Sequence, residues 1–292
     1  MKPVLIIAGP TAGGKSARAV EIARQKNGVI INADSMQIYN ALPLLTAQPT
    51  PGDRTQAPHA LYAALPPHEP CSAQRWRDMA AAEIDKAHAA EQLPIITGGT
   101  GFYIRALTEG FSPVPEVPLS VREEGNALQQ KLGNPAFHAA LAERDPIMAA
   151  RLHPNDTQRL IRAWEVLAFT GTSLAEWQEQ PAIGAPAGYA FEYELILPTR
   201  EELRARCDRR FDMMMDAGAL EEARAFVDQI ESGAVPADAA VTHALGFRPL
   251  QRYLQGAIPL NEAVTLAKIE TKQYAKRQVT WFRNQVGKKL NY

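Results

Sequence analysis

Residues 3–16 read PVLIIAGPTAGGKS, and the architecture follows from this run. Its aliphatic part, ending at Ala8, has the length and composition of a buried strand. Gly9-Pro10-Thr11-Ala12-Gly13-Gly14-Lys15-Ser16 then fits G-x-x-x-x-G-K-[ST], and Val20, Ile22 and Ala23 continue with helical spacing. Strand, glycine-rich loop and helix in that order surround a phosphate with backbone amides and a helix N-terminus, while the lysine adds a point charge. Lys15 is expected to hold terminal phosphate oxygens and Ser16 a magnesium ion.

Two more buried-strand patterns end in polar clusters. Val29-Ile30-Ile31 runs into Asn32-Ala33-Asp34-Ser35, and Pro94 to Thr97 runs into Gly98-Gly99-Thr100-Gly101. Strands alternating with helices imply an α/β fold of the P-loop NTPase type, built on a mostly parallel sheet. Ligands of such sheets bind beyond the carboxyl ends of the strands, so the three clusters are expected to share one pocket. From Ser112 to about Gly188 the pattern is helical, alanine-rich and strandless, bracketed by SPVPEVP at 112–118 and QPAIGAP at 180–186. Proline at both ends marks an inserted helical subdomain. The expected organisation is a core at 1–111, an insertion at 112–188, and a return to the core with a helical C-terminal region at 189–292. That last part opens with a strand, Phe191 to Leu197. A helix with the capping-box start Thr199-Arg200-Glu201-Glu202 follows. Asn261 is the expected N-cap of the last helix, which runs to about Gln285.

With 292 residues and 46% apolar content the chain can bury a sizeable core. No apolar run approaches the roughly 18 residues of a membrane span, and Met1-Lys2-Pro3 leads straight into a strand with no room for a leader. A cytoplasmic protein without membrane contact, working as a monomer, is the expectation. Cys71 and Cys207 lack metal-ligand spacing and read as reduced thiols. A formal charge of −1 argues against a protein that coats nucleic acid with a general positive field. Locally, Lys268, Lys272, Lys276, Arg277, Arg283, Lys288 and Lys289 stand against Glu270 alone, a balance of +6 from 268 to the end. Polyanion contact, if made, is regional.

The phosphate loop alone suits an ATPase or small-molecule kinase, which commonly adds an acidic residue at a later strand end to hold magnesium. Here that end is Gly98-Gly99-Thr100, which weakens the nucleotide-hydrolysis reading, although Asp34 could serve. Asp34 is also a fitting turn or helix cap. Asn155 to Arg162 reads equally as a capped helix with solvated charges, Arg159 and Arg162 sharing a face. Lys268, Lys272 and Lys276 recur every four residues, the pattern of a solvated stripe.

In order along the chain, GPTAGGKS, INADSMQIY, ITGGTGFYIRAL, ARLHPNDTQRLIRAWEVL, RRFDMMMDAGALEEARAF, HALGFRPLQRYLQG and KRQVTWFR resemble the motif series of the bacterial tRNA dimethylallyltransferases, from Gly9 to Arg283. The resemblance implies transfer of a dimethylallyl group from dimethylallyl diphosphate to N6 of adenosine 37 in the tRNA anticodon stem-loop, with Mg²⁺ as cofactor. It also implies that Gly9, Pro10, Thr11, Ala12, Gly13, Gly14, Lys15 and Ser16 grip the diphosphate. Asp34 (general base), Thr100 and Arg210 (pyrophosphate contact) form the catalytic group. Implied tRNA contacts are Asp34, Ser35, Met36 and Gln37; Thr100 and Arg122; Gln158, Arg159, Leu160, Ile161 and Arg162. Further along they are His243, Ala244, Leu245, Gly246, Phe247 and Arg248, then Lys276, Arg277, Gln278, Val279, Thr280, Trp281, Phe282 and Arg283. For Arg210 the residues alone also allow a surface salt bridge with Asp208 or Asp212. Two departures from the family pattern are Gln48, where a lysine is usual, and His243, where an arginine is frequent. The alternatives are a P-loop small-molecule kinase and an adenylate isopentenyltransferase.

Overall fold

The computed structural model describes residues 1–287; Lys288 and Lys289, counted in the C-terminal charge, lie outside them. The chain divides into two compact units: Met1–Thr108 with the chain from Pro186 onward, and Glu109–Ala185. The strands are β1 (Lys2–Ala8), β2 (Gly28–Asn32), β3 (His59–Ala60), β4 (Leu93–Gly98) and β5 (Tyr189–Leu195). The helices before residue 186 are α1 (Lys15–Gln25), α2 (Pro51–Gln56), α3 (Ala73–Ala89), α4 (Gly101–Glu109), α5 (Leu119–Arg144), α6 (Pro146–Arg151), α7 (Thr157–Thr170) and α8 (Leu174–Glu179). Beyond it come α9 (Arg200–Asp216), α10 (Ala219–Glu231), a 3₁₀ turn (Ala240–His243), α11 (Phe247–Leu254), α12 (Leu260–Phe282) and a π turn (Arg283–Gly287).

The first unit is a five-stranded sheet of order β3-β2-β4-β1-β5 in which every pairing is parallel. Strands β1, β2 and β4 are aliphatic on both faces, as the covered centre of a parallel sheet requires. Val4, Ile6, Ile31 and Ile96 pack with α3, α4 and the C-terminal helices, through Trp76, Tyr103, Phe226, Phe247 and Phe282. Ile7, Ile30 and Ile95 point the other way, onto Ala19, Ile22 and Ala23 of α1. Each such aliphatic side chain removed from water contributes roughly 1.5–3 kcal/mol. This is the three-layer P-loop NTPase-like arrangement.

Local signals account for most boundaries. Thr199 and Glu202 form the expected capping box at the start of α9, the Glu202 N–H donating to Thr199 Oγ1 at 3.3 Å and the Thr199 N–H to Glu202 Oε2 at 3.2 Å. Two expectations need correction. Pro259, not Asn261, is the N-cap of α12, because the fixed φ of proline already sets the chain for helix entry and Asn261 falls within the first turn. Strand β5 lies two residues earlier than expected, since its ladder to β1 begins at the pair Lys2 and Tyr189.

The second unit is all helical. Phe137, Leu141, Leu160, Ala163 and Val166 form its fully buried centre. Buried Asp145 caps α6 by accepting from the Met148 N–H at 3.0 Å, and its other oxygen accepts from Ser173 Oγ at 2.7 Å. Phe111 and Ile183 exchange backbone hydrogen bonds of 2.9 and 2.7 Å, tying together the unit's two proline-rich ends. Among the described residues no helix is long and apolar enough to cross a membrane.

At the carboxyl end of β4 the backbone comes close to that of the neighbouring strand. A Cβ on Gly98 would lie 2.1 Å from the Ala33 carbonyl oxygen. Gly98→Ala is therefore expected to destabilise the protein by about 1–3 kcal/mol, the cost of overpacking a tight site. Thermal denaturation followed by circular dichroism should show a lower melting temperature; an unchanged one would contradict the close approach.

Candidate active site

Ala8 pairs with Gly98, and Asn32 with Thr97, so the ends of β1, β2 and β4 stand level. A cavity of about 390 Å³ opens there, lined by the phosphate loop, Asp34, Gln37, Tyr62, Thr97, Arg206 and Arg210. The three polar clusters thus meet in one pocket.

Gly14 enters α1 with φ 103, a left-handed conformation that glycine adopts without steric cost. Three cations rest on oxygens of this loop. Lys15 Nζ donates to the Pro10 carbonyl at 2.7 Å, Arg206 Nη1 to the Gly13 carbonyl at 3.1 Å, and Arg210 Nη2 to Thr11 Oγ1. Burial pulls the Lys15 ammonium down to about 8; Asp34 opposes that shift, and Arg210 adds to it. Burial also pulls the Arg210 guanidinium down, against Cys207 and Asp34. A site that desolvates positive groups this way favours an anion, whose charge would offset their desolvation. Arg210 does not form the salt bridges its neighbours suggested. Asp208 pairs with Lys272 at 2.7 Å and Asp212 with Lys268 at 2.5 Å, joining α9 to α12. Those two lysines are consequently not a solvated stripe; only Lys276 of the three is exposed.

Asp34 follows β2 and is positioned by Asn32, which is completely buried. Asn32 Oδ1 accepts the Asp34 N–H at 2.8 Å, and Asn32 Nδ2 donates to the Asp34 and Leu61 carbonyls at 3.0 Å each. Asn32 is itself held by Trp76, whose Nε1 donates to its carbonyl at 2.8 Å. Asp34 Oδ1 accepts the Met36 N–H at 2.9 Å. Thr100 stands beside it, accepting the Ser35 N–H on Oγ1 at 3.0 Å. Gln37 Nε2 donates to the Thr46 and Ala47 carbonyls, and Gln48 Nε2 to the Tyr39 carbonyl, so the Gln48 amide is engaged in shaping the 39–48 loop.

The other expected contact residues divide by burial. His243 and Arg248 are exposed and lie 3.3 Å apart, whereas Ala244, Gly246 and Phe247 are buried and Leu245 is partly so. Lys276, Arg277, Thr280 and Arg283 are exposed; Val279 and Trp281 are half-buried. Gln278 and Phe282 face inward, so not every side chain of that run can meet a partner. In the second unit, Arg122 and Arg162 both pair with buried Glu165, at 3.2 and 2.5 Å. Gln158 is exposed, Arg159 pairs with Asp156 at 3.4 Å, and Leu160 is wholly within the core with Ile161 packed against it. Asp156 is the N-cap of α7 but its side chain makes no capping bond, contrary to the capped-helix reading.

Sequence reading missed Arg206 and Tyr62, and it placed Asn32 at the strand end without its role in holding the Asp34 turn. Arg206 had a signal, since it precedes Arg210 by four residues on α9 and so shares its face. Tyr62 had none, and the hydrogen bonds of Asn32 could not be read ahead, because both depend on how β2, β3 and α3 pack.

The IPP transferase family model matches residues 37–285, and an isopentenyl transferase model matches residues 2–65. A curated relative from Paramagnetospirillum magneticum, a tRNA dimethylallyltransferase, is 54% identical over 284 residues, covering 97% of this chain and 89% of its own. The solved tRNA isopentenylpyrophosphate transferase of Bacillus halodurans superposes with TM-score 0.69 at 32% identity, over 98% of this chain and 88% of that one. A eukaryotic dimethylallyltransferase acting on tRNA superposes with TM-score 0.79 at 27% identity, over 97% of this chain and 70% of that one.

Asn32→Ala would leave the Asp34 N–H and two carbonyls without partners in the interior. The expected cost is about 1–3 kcal/mol. A denaturation midpoint equal to that of the wild type would show that Asn32 does not hold the Asp34 turn.

Proposed function

The chain belongs to the IPP transferase family, and from that premise we propose that it moves a dimethylallyl group from dimethylallyl diphosphate to N6 of adenosine 37 in tRNA, releasing pyrophosphate. The observation that carries this reading is the convergence of one carboxylate, Asp34, with Lys15, Arg206 and Arg210 on a single cavity. Anion-binding groups and a proton acceptor are the two things this reaction needs.

An exocyclic adenine amine is a poor nucleophile because its lone pair is delocalised into the ring. In the proposed step the nitrogen lone pair forms the N–C bond while the allylic C–O bond breaks, and the amine proton passes to Asp34. Negative charge then gathers on the departing pyrophosphate. The loop amides, Lys15 and Arg210 are set to stabilise it, with Thr100 adjacent to the amine. The adenine must leave its stack to reach a pocket at the strand ends.

The cation of this reaction is taken to be Mg²⁺. The residues fit it: Ser16 lines the cavity with its hydroxyl-bearing side chain, and Thr97, also a lining residue, has a buried hydroxyl without a hydrogen-bond partner among the described residues. Oxygen donors suit a hard cation. Among the described residues no group of three or more His, Cys, Asp or Glu could hold a metal, so the substrate's own phosphates are expected to supply other ligands, as is usual for magnesium. When bound, the ion neutralises charge developing on the diphosphate.

For the RNA side, an open groove of about 510 Å³ runs along Lys276, Arg277, Thr280 and Trp281. We assign phosphate contact to the exposed cations of this helix end, and to Arg122, Arg159, Arg162 and Arg248. The enzyme is taken to act as a cytoplasmic monomer. A small-molecule kinase reading would leave the basic helix without a role. Prenylation of free adenine nucleotides is not favoured, since the relatives matching nearly the whole chain carry tRNA in their names.

Incubation with labelled dimethylallyl diphosphate and either tRNA or AMP tests the reading; label should enter tRNA alone. Asp34→Ala should slow prenyl transfer by roughly 10²–10⁴ while diphosphate binding persists. Near-normal turnover would remove Asp34 from the mechanism. Replacing Lys276, Arg277 and Arg283 together with Gln should weaken tRNA binding and flatten the slope of log affinity against log salt by about two, each single-strand-like contact contributing about 0.7. Identical slopes for folded wild type and triple mutant would place the RNA elsewhere.

A further inference from the structure

The buried face of α12 carries Ala263, Ala267, Thr271, Ala275, Gln278 and Phe282. In this small and apolar series Gln278 is the one long polar side chain, and it is only 5% exposed. Both ends of its amide are engaged. The Thr11 N–H donates to Gln278 Oε1 at 2.8 Å, and Gln278 Nε2 donates to the Gly99 carbonyl at 2.7 Å. One side chain therefore bridges the phosphate loop and the turn between β4 and α4. Glycines make room for the helix at that turn. A Cβ on Gly99 would lie 2.2 Å from Gln278 Nε2, and a Cβ on Gly101 would lie 2.3 Å from the Trp281 ring.

We propose that Gln278 is a positioning residue for prenyl transfer: by tying Thr11 to Gly99 it sets the spacing between the diphosphate cradle and the Thr100 and Asp34 side of the pocket. The proposal rests on the functional reading above. Thr100 follows Gly99 directly, and its N–H donates to the Ala33 carbonyl at 3.1 Å, next to Asp34. On the other side, Thr11 Oγ1 accepts from Arg210. Gln278 thus joins the loop that holds the electrophile to the β4–α4 turn, whose Thr100 in turn meets the turn that carries Asp34. Since the Thr11 amide is committed to Gln278, phosphate must be held by other donors of the loop. A spanning contact of this kind matters to the rate because a misplacement of about 1 Å between reacting groups can cost on the order of 10²-fold.

The test uses Gln278→Glu, which keeps the length and the acceptor for Thr11 but loses the donor to Gly99, and Gln278→Met, which keeps volume and loses both bonds. Pyrophosphate affinity by calorimetry, kcat, KM for dimethylallyl diphosphate and tRNA affinity at fixed salt are measured for folded variants. The expected outcome is a kcat reduced on the order of 10²-fold and weakened pyrophosphate binding, with tRNA affinity unchanged. Wild-type kcat and pyrophosphate affinity in either folded variant would overturn the proposal, as would a loss confined to tRNA affinity. Amide hydrogen exchange on the wild-type protein gives a second readout that needs no variant. Thr11 should be protected equally with and without pyrophosphate; protection that appears only with pyrophosphate would overturn the bridge. Because calorimetry and exchange require no prenyl transfer, a wild type that binds pyrophosphate yet prenylates no tRNA would refute the functional reading and leave the bridge to be judged separately.

Discussion

The parallel ladder that seats β4 between β2 and β1 is the constraint on which the pocket depends. Parallel strands run in one direction, so their carboxyl ends lie on one edge, and the pairs Ala8 with Gly98 and Asn32 with Thr97 bring three of those ends level. The phosphate loop, the Asp34 turn and the Gly98–Gly101 turn then emerge side by side. Without this register the loop would still be a plausible anion site, but no carboxylate would face it. The small residues at these ends follow from the same constraint, since Gly98 meets the Ala33 backbone with no space for a Cβ.

Electrostatics in the pocket favour a negative charge. Lys15, Arg206 and Arg210 approach loop oxygens, and burial lowers the proton affinity of Lys15 to about 8. Asp34 is the carboxylate lining the pocket and offsets part of this excess. In the proposed reaction, a diphosphate entering such a site would gain hydrogen bonds from groups already poised there, with Asp34 as the proposed proton acceptor. The same arrangement gives no carboxylate at the end of β4, where nucleotide-hydrolysing relatives of this fold commonly place one. Thr97, with its unpartnered buried hydroxyl, stands there instead.

The last helix shows how one element serves several ends. Its alanine-rich face lets it lie close to the rest of the unit, Lys268 and Lys272 pair with Asp212 and Asp208 of α9, and Lys276 and Arg277 remain exposed. The ion pairs are partly solvated and contribute at most about 1 kcal/mol each. Packing of the buried face, from Ala263 to Phe282, sets which way the helix is turned, and the ion pairs agree with it. That rotation directs Gln278 against the phosphate loop and the β4–α4 turn and leaves the proposed RNA-binding cations outside.

Much was legible in the sequence alone. The phosphate loop, the three aliphatic strands with their polar ends, the capping box at Thr199 and the prolines around the helical unit are each written in a few contiguous residues, because they express local backbone geometry. The gathering of Lys15, Asp34 and the Gly98–Gly101 turn followed from the rule that parallel sheets bind at their carboxyl edge, whereas Arg210 was expected there only from the family resemblance. What only tertiary structure decided was the direction of side chains whose partners are remote. Arg122 and Arg162 turned out to share Glu165, Leu160 to be core, and Gln278 to contact a residue 267 positions away. The four-residue spacing of alanines on α12 hinted at a buried face containing position 278, but not at what lay opposite. Helical periodicity shows which residues share a face; the rotation of that face toward solvent or pocket is settled by packing against distant parts of the chain.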